Sequence, residues 1–195
     1  DNIEVRTIGD SYKRPENTLR VLYWNIQNGM WSDQANNYDN FVKWVKSYDP
    51  DVCVWCESAT IYKDNTSASQ TASLRFLPDG WASLAARYGH AYAAVGGKRD
   101  NYPQTVTSKY PIETLLKITD TDVAGKPVSH GAGIQQVNVD GKLINIVTLH
   151  MWPQAYAFGV TGTANQTTSA NNKEGDYYRE FEMKYILRET INNSK

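Results

Sequence analysis

An α/β fold containing a parallel strand pair is predicted by three features of this sequence. Thr18 to Asn25 (TLRVLYWN) and Pro50 to Glu57 (PDVCVWCE) both alternate apolar residues with others over the length of a strand. Between them, Asn36 to Tyr48 carries Phe41, Val42, Trp44 and Val45 at helical spacing and is closed by Pro50. Further on, strand-like runs alternate with turn signals. A strand, helix, strand unit crosses over right-handedly, so its two strands run parallel and their carboxyl ends lie at one edge of the sheet.

The elements follow in order. Residues 1–17 are polar and irregular and read as an arm, which leaves 18–195 as one domain. Lys63 to Ser73 is rich in Ser, Thr and Asn and reads as a surface loop. Trp81 to Tyr88 reads as a helix ended by Gly89 as a left-handed cap. Four strands are expected next, over Ala91 to Val95, Gln104 to Ser108, Glu113 to Thr119 and Gly133 to Val139. Asp140-Gly141 is a hairpin turn signal, and Lys142 to Leu149 returns from it. Met151 to Gly175 is an aromatic-then-polar loop of a length that usually serves a function. Asp176 to Ile191 reads as an amphipathic helix with Tyr178, Phe181, Tyr185 and Leu187 on its apolar side.

At 195 residues and 22.0 kDa the chain can bury a substantial core. A net charge of -1 supplies no global field for a polyanion, so any nucleic-acid role must rest on a local site. No apolar run is long enough to span a membrane. The start at Asp1 suggests processing or trimming, and the missing methionine with the polar, Asn- and Tyr-rich composition favours an exported (periplasmic or extracellular) protein while leaving the compartment open. Cys53 and Cys56, three apart on a strand, face opposite ways and are not expected to bond. Two cysteines and three scattered histidines make a poor zinc site.

The chemistry gathers at the strand ends. Asn25 and Glu57 close the two parallel strands at the edge where open α/β sheets bind ligands. An amide oxygen and a carboxylate there are hard ligands of the kind Mg²⁺ takes. Glu57 ends an apolar strand, where a carboxylate is rarely buried without a metal or an Arg. Asn25 also reads as the start of the turn signalled by Gln27-Asn28-Gly29. His150 closes the strand that returns from the hairpin, placed to give a proton to a leaving oxygen or to hold a phosphate. Tyr102 and Gln104 are candidate phosphate contacts. Trp152, in the loop reaching Phe158, is a candidate stacking residue, and a hydrophobic lid or membrane contact fits that loop equally. Lys109 is expected to play a structural part, and His90 and His130 read as ordinary loop histidines.

Four motifs in order, LYWNI (22–26), DVCVWCE (51–57), TVTSKYPI (105–112) and IVTLH (146–150), resemble the endonuclease/exonuclease/phosphatase, or DNase I-like, superfamily. The resemblance implies a DNase I-like four-layer α/β sandwich and metal-dependent hydrolysis of a phosphate ester. In it Glu57 holds Mg²⁺ (or Mn²⁺) with Asn25 beside it, and His150 supplies a proton or hydrogen bond. The superfamily acts on nucleic acids, phospholipids and inositol phosphates, and one chain does not choose among them. Its later Gly-Asp-x-Asn and Ser-Asp-His motifs do not occur here. The resemblance therefore implies that only the first half of the sandwich is present, to be completed by further residues or a second chain. Two other classes of function remain open, a non-catalytic ligand-binding module and an interaction module that keeps the fold.

Overall fold

The computed structural model describes residues 14–59, 77–97, 102–119, 128–168 and 173–194. The surface loop expected over 63–73 and residues 1–13 of the arm lie outside the described residues. Strand β1 (Val21–Asn25) is followed by a helical turn (Gln27–Met30), a 3₁₀ turn (Trp31–Asn36) and helix α1 (Asp39–Tyr48). Next come β2 (Val52–Cys56), α2 (Leu77–Arg87), β3 (Tyr92–Gly96), β4 (Gln104–Ser108), β5 (Ile112–Ile118), β6 (Ala132–Val139) and β7 (Lys142–Leu149). A short helical turn (Thr163–Thr167) precedes the 20-residue helix α3 (Glu174–Asn193).

The strands form two sheets, one in the order β1-β2-β4-β3 and one in the order β5-β6-β7. Strands β1 and β2 are parallel, with Asn25 opposite Cys56, as the crossover predicts. The remaining pairings are antiparallel. Asp140 and Gly141 both take positive φ (51° and 88°) in the β6–β7 hairpin, the requirement of a type I′ turn. Gly89 (φ 92°) lies just past α2, where the helix-stop signal puts it.

Three apolar clusters stack four layers. Because β2 is central, both its faces are buried. Cys53 and Trp55 face the helices, packing with Phe41, Val45, Trp81, Leu84 and Tyr88. Val52 and Val54 face the second sheet and meet Val106 and Val137. Burying each such side chain contributes about 1.5–3 kcal/mol. On the far side, Ile118, Val128 and Ala132 pack against Ile186 of α3. The order is helices, sheet, sheet, helix: a four-layer α/β sandwich, as the sequence implied. Both cysteines are free and buried, on opposite faces of β2. Burial pushes the Cys56 thiol up to about 11 and Cys53 higher still, so both stay protonated near neutral pH.

Helix α3 differs from expectation in the face it buries. Its inward residues are Glu182, Ile186 and Thr190, whereas Phe181 and Leu187 are exposed. Tyr185 packs against the core beside Ile186 and Tyr178 meets Phe158, as expected, so apolar counting missed the buried face only in part, because the helix docks through a buried acid as well as through aliphatic packing.

The end of the sandwich opposite the β1 and β2 carboxyl termini is latched by charge. Asp51 is buried and accepts from Arg14 Nη1 (2.7 Å) and the Arg20 backbone N–H (2.8 Å). Lys109 bridges Asp49 (2.7 Å) and Asp51 (3.3 Å), which is the structural part the sequence suggested. The Lys109 hydrogen bond holds the Asp49 carboxyl below its usual range.

His90, also at that end, is a buried structural histidine. Nε2–H donates to the Pro50 carbonyl (2.8 Å) and Nδ1 accepts from the Thr107 hydroxyl (2.9 Å), which is the neutral ring. Burial depresses its pKa below the ordinary value. The unfolded chain takes up this proton near pH ~6.5, and the folded chain only at lower pH. Between those values the unfolded state binds more protons, so this stabilisation is complete above about pH 6.5 and is lost as pH falls toward the folded value. Tm is expected to drop between about pH 7.5 and pH 5, with a flatter slope in His90→Asn; equal slopes would show that His90 carries none of it.

Candidate functional site

The chain ends of β1, β2, β3 and β7 and the starts of β4 and β6 meet at one edge of the sandwich, as the pairings of Asn25 with Cys56, Cys56 and Gly96 with Gln104, and Ala132 with Leu149 require. A cleft of about 540 Å³ opens there, lined by Asn28, Glu57, Tyr102, His130, His150 and Trp152 among others.

Glu57 is the centre of the polar contacts. Its Oε1 accepts from Asn25 Nδ2 (3.1 Å) and its Oε2 from the Asn28 backbone N–H (3.2 Å). Its own carbonyl accepts from the Gly29 N–H (2.7 Å), so the turn after β1 is tied to the end of β2 at both the side chain and the main chain. Asn25 Oδ1 accepts from the Gln27 N–H (3.0 Å), so the turn reading and the site reading of Asn25 hold together in one residue.

Gln27, Asn28, Gly29 and Met30 all have positive φ, as do Glu57 (57°) and Tyr102 (50°). Left-handed backbone at non-glycine residues costs about 1–3 kcal/mol each and collects where side chains are aimed for function. Here it turns the Glu57 carboxylate and the Asn28 N–H toward one another.

His150 Nε2 lies 3.8 Å from Glu57 Oε1, and Nδ1–H donates to the Tyr102 carbonyl (3.4 Å). With Nδ1 engaged, the free edge of the imidazole faces the carboxylate. Trp152 follows two residues later. Its indole Nε1 donates to the Tyr156 carbonyl (2.5 Å), and Phe158 stands edge-on to it at 5.2 Å. Phe158 in turn stacks on Tyr178 of α3 (5.4 Å, 22°). These rings form a continuous aromatic wall.

The structure thus brings Asn25, Glu57, His150, Tyr102 and Trp152 together. Gln104 is placed elsewhere. It is buried, donates through Nε2 to the His130 carbonyl (3.2 Å) and the Tyr102 carbonyl (3.4 Å), and stands behind the cleft wall. Its Oε1, like Gln135 Nε2 and Thr148 Oγ1, is buried with no hydrogen-bond partner among the described residues.

Sequence reasoning missed His130. Its ring lies 4.5 Å from that of His150 at 31° and lines the cleft. The hairpin register held the signal: pairing Ala132 with Leu149 makes residues 130 and 150 near neighbours.

The residues present fit a small hard cation. Among the described residues Glu57 has no Lys or Arg partner, and no three of His, Cys, Asp and Glu converge as a ligand cluster. One carboxylate presented at the cleft, its oxygens oriented by N–H donors, suits an ion such as Mg²⁺, which keeps most of its ligands as water and substrate oxygen. A thiolate- or imidazole-rich transition-metal site is not what these donors build.

No protein-family model matches the chain, and no curated protein matches it. Among solved structures, it is similar to an endonuclease/exonuclease/phosphatase from Beutenbergia cavernae DSM 12333, at 16% identity and a TM-score of 0.49, covering 87% of this chain and 43% of that one. It is also similar to an endonuclease/exonuclease/phosphatase family protein from Leptotrichia buccalis C-1013-b, at 13% identity and a TM-score of 0.43, covering 69% of this chain and 55% of that one. The chain spans about half the length of each.

Proposed function

We propose that the cleft at Glu57 is the centre of a metal-dependent phosphoesterase that takes a divalent cation, Mg²⁺ or Mn²⁺. The observation that supports this most is the Glu57 carboxylate, held at the cleft by Asn25 and the Asn28 N–H with no Lys or Arg paired to it among the described residues. When bound, the cation would polarise a phosphoryl oxygen and stabilise charge on the leaving oxygen. Glu57 would hold it, with the Asn25 amide beside it. The Tyr102 carbonyl takes the His150 Nδ1–H and leaves Nε2 toward the ester, where the doubly protonated ring would give a proton or a hydrogen bond to an ester oxygen and the neutral ring would accept one. The aromatic wall at Trp152 and Phe158 would cover the organic part of the ester. Nucleic acid, phospholipid and inositol phosphate all present this group, and the substrate class is a phosphate ester.

A second reading is favoured by the edges of the sandwich. β1 and β7 are both edge strands, and Val21, Tyr23, Leu143 and Val147 on them are exposed. Open strand edges bearing apolar side chains are sites for pairing with further strands. In this reading the chain is an interaction module completed by more residues of its own protein or by a second chain.

One experiment addresses both. Hydrolysis of bis(p-nitrophenyl) phosphate is measured with Mg²⁺ or EDTA over a range of protein concentrations. Metal-dependent turnover that scales linearly with protein supports a site sufficient in this chain. A steeper dependence places completion of the site in an assembly. No turnover at any concentration counts against hydrolysis by this chain alone.

A further inference from the structure

Glu182 lies on the buried face of α3 and is fully shielded from solvent (0% exposed). Its two oxygens serve different segments. Oε1 accepts from the Ser129 N–H (2.7 Å) and the Ser129 hydroxyl (2.6 Å), while Oε2 accepts from the Trp152 N–H (2.9 Å). No Lys or Arg pairs with it among the described residues, so these hydrogen bonds alone offset the desolvation of the acid.

The helix grips the same place twice more. Arg179 Nη1 donates to the carbonyls of Trp152 and Gln154 (2.7 Å each), and the Gly175 N–H donates to the Ala155 carbonyl (2.8 Å). A side chain at Gly175 would lie 2.1 Å from the Gln154 carbonyl oxygen, so only glycine allows this approach.

The two segments Glu182 joins are those that carry the rings of the cleft. Ser129 precedes His130, whose ring lies 4.5 Å from His150 and 6.3 Å from Trp152, at 31° and 32°. The His130 ring therefore lies next to both others, tilted about 31° to His150 and 32° to Trp152, and is the ring through which the two segments meet. The His130 backbone is fixed on its other side as well, because its carbonyl accepts from Gln104 Nε2 and packs against Gly97, where a Cβ would lie 2.6 Å away.

We propose that Glu182 is the positioning residue of the cleft: by clamping Ser129 and Trp152 together it fixes the His130 ring, which in turn sets the plane of His150. A helix that only needed to cover the sheet would do so with aliphatic residues, as Ile186 does one turn later. A buried acid costs more than that, and this one ties together only the segments flanking the site. The inference rests on the reading of the cleft as a phosphoesterase centre for its catalytic consequence, and on the structure alone for its geometric one.

Glu182→Gln tests it. A glutamine has one acceptor oxygen, so its NH₂ must face either Ser129 or the Trp152 N–H, donor against donor. The ring ¹H–¹³C NMR signals of the three histidines, recorded in EDTA, are expected to shift for His130 and His150 and to stay in place for His90. Mn²⁺ affinity is expected to hold within about two-fold, while kcat for bis(p-nitrophenyl) phosphate falls roughly 10-fold or more with KM changed less. Ser129→Ala, which removes the hydroxyl's bond to Glu182 and keeps the main-chain one, is expected to move the same two signals in the same direction by less, and serves where Glu182→Gln does not fold. His130 and His150 signals unmoved in a folded variant overturn the proposal, whatever the change in Tm. Shifted signals in a protein without hydrolysis or Mn²⁺ binding keep Glu182 as the positioning residue and overturn the phosphoesterase reading instead.

Discussion

Glu57→Gln is expected to weaken Mn²⁺ binding by roughly 100-fold or more, since groups that merely orient a ligand already cost about 10–100-fold when removed. Mg²⁺-dependent hydrolysis should be lost with it. The substitution keeps the shape of the side chain and changes only its charge and one acceptor. The left-handed backbone at residue 57 and the Gly29 N–H bond to its carbonyl do not depend on the carboxylate, so the end of β2 should keep its course. Loss of one of the Asn25 and Asn28 hydrogen bonds at a partly exposed group should cost about 0.5–1.5 kcal/mol of stability. Titration calorimetry with Mn²⁺, beside a urea melt, separates the two effects. Affinity unchanged in a folded Glu57→Gln protein would remove the metal from the site and leave the cleft as a binding surface.

What the sequence made legible divides by the range of the interactions. Local periodicity placed β4 and β7 at their observed bounds, and the βαβ crossover correctly put Asn25 and Glu57 at one edge. Asp140-Gly141 marked the hairpin because few residues accept positive φ at both turn positions. Long-range features left weaker traces. His130 was passed over since nothing in its own neighbourhood distinguishes it; only the register of β6 on β7 carries it to His150. Gln104 was a candidate phosphate contact, yet its strand is central, so its side chain is enclosed between the sheets.

Glu182 is the sharpest case. On hydropathy it belongs to the solvent side of α3, and its partners are a serine and a main-chain N–H that lie 53 and 30 residues away. Hydrogen-bond complementarity of this kind has no periodic signature. It appears only once the chain is folded, which is why the helix was expected to bury Phe181 and Leu187.

Trp55→Ala is expected to cost about 3–5 kcal/mol of stability, the range for deleting a large buried aromatic ring. Trp55 is fully buried, with Phe41 edge-on at 5.0 Å, Trp81 stacked at 5.9 Å and Tyr88 edge-on at 6.2 Å. Its indole Nε1 donates to the Tyr88 hydroxyl (3.2 Å), but that hydroxyl and Thr107 remain 2.9 Å apart without it. The polar penalty is therefore small and the loss is one of packing, since α1 and α2 both reach the sheet through this ring. Urea unfolding measures it, and Trp55→Phe, which leaves a smaller void, should lose clearly less. The position also bears on the site, because Trp55 stands two residues before Glu57, which directly follows the same strand. A cavity beneath β2 loosens the strand end that aims the carboxylate, so Mn²⁺ affinity should fall in Trp55→Ala even under conditions where the protein is folded. A stability loss below about 1 kcal/mol would mean that the helices hold the sheet by other contacts, and unchanged affinity would mean that the turn after β1 alone fixes Glu57.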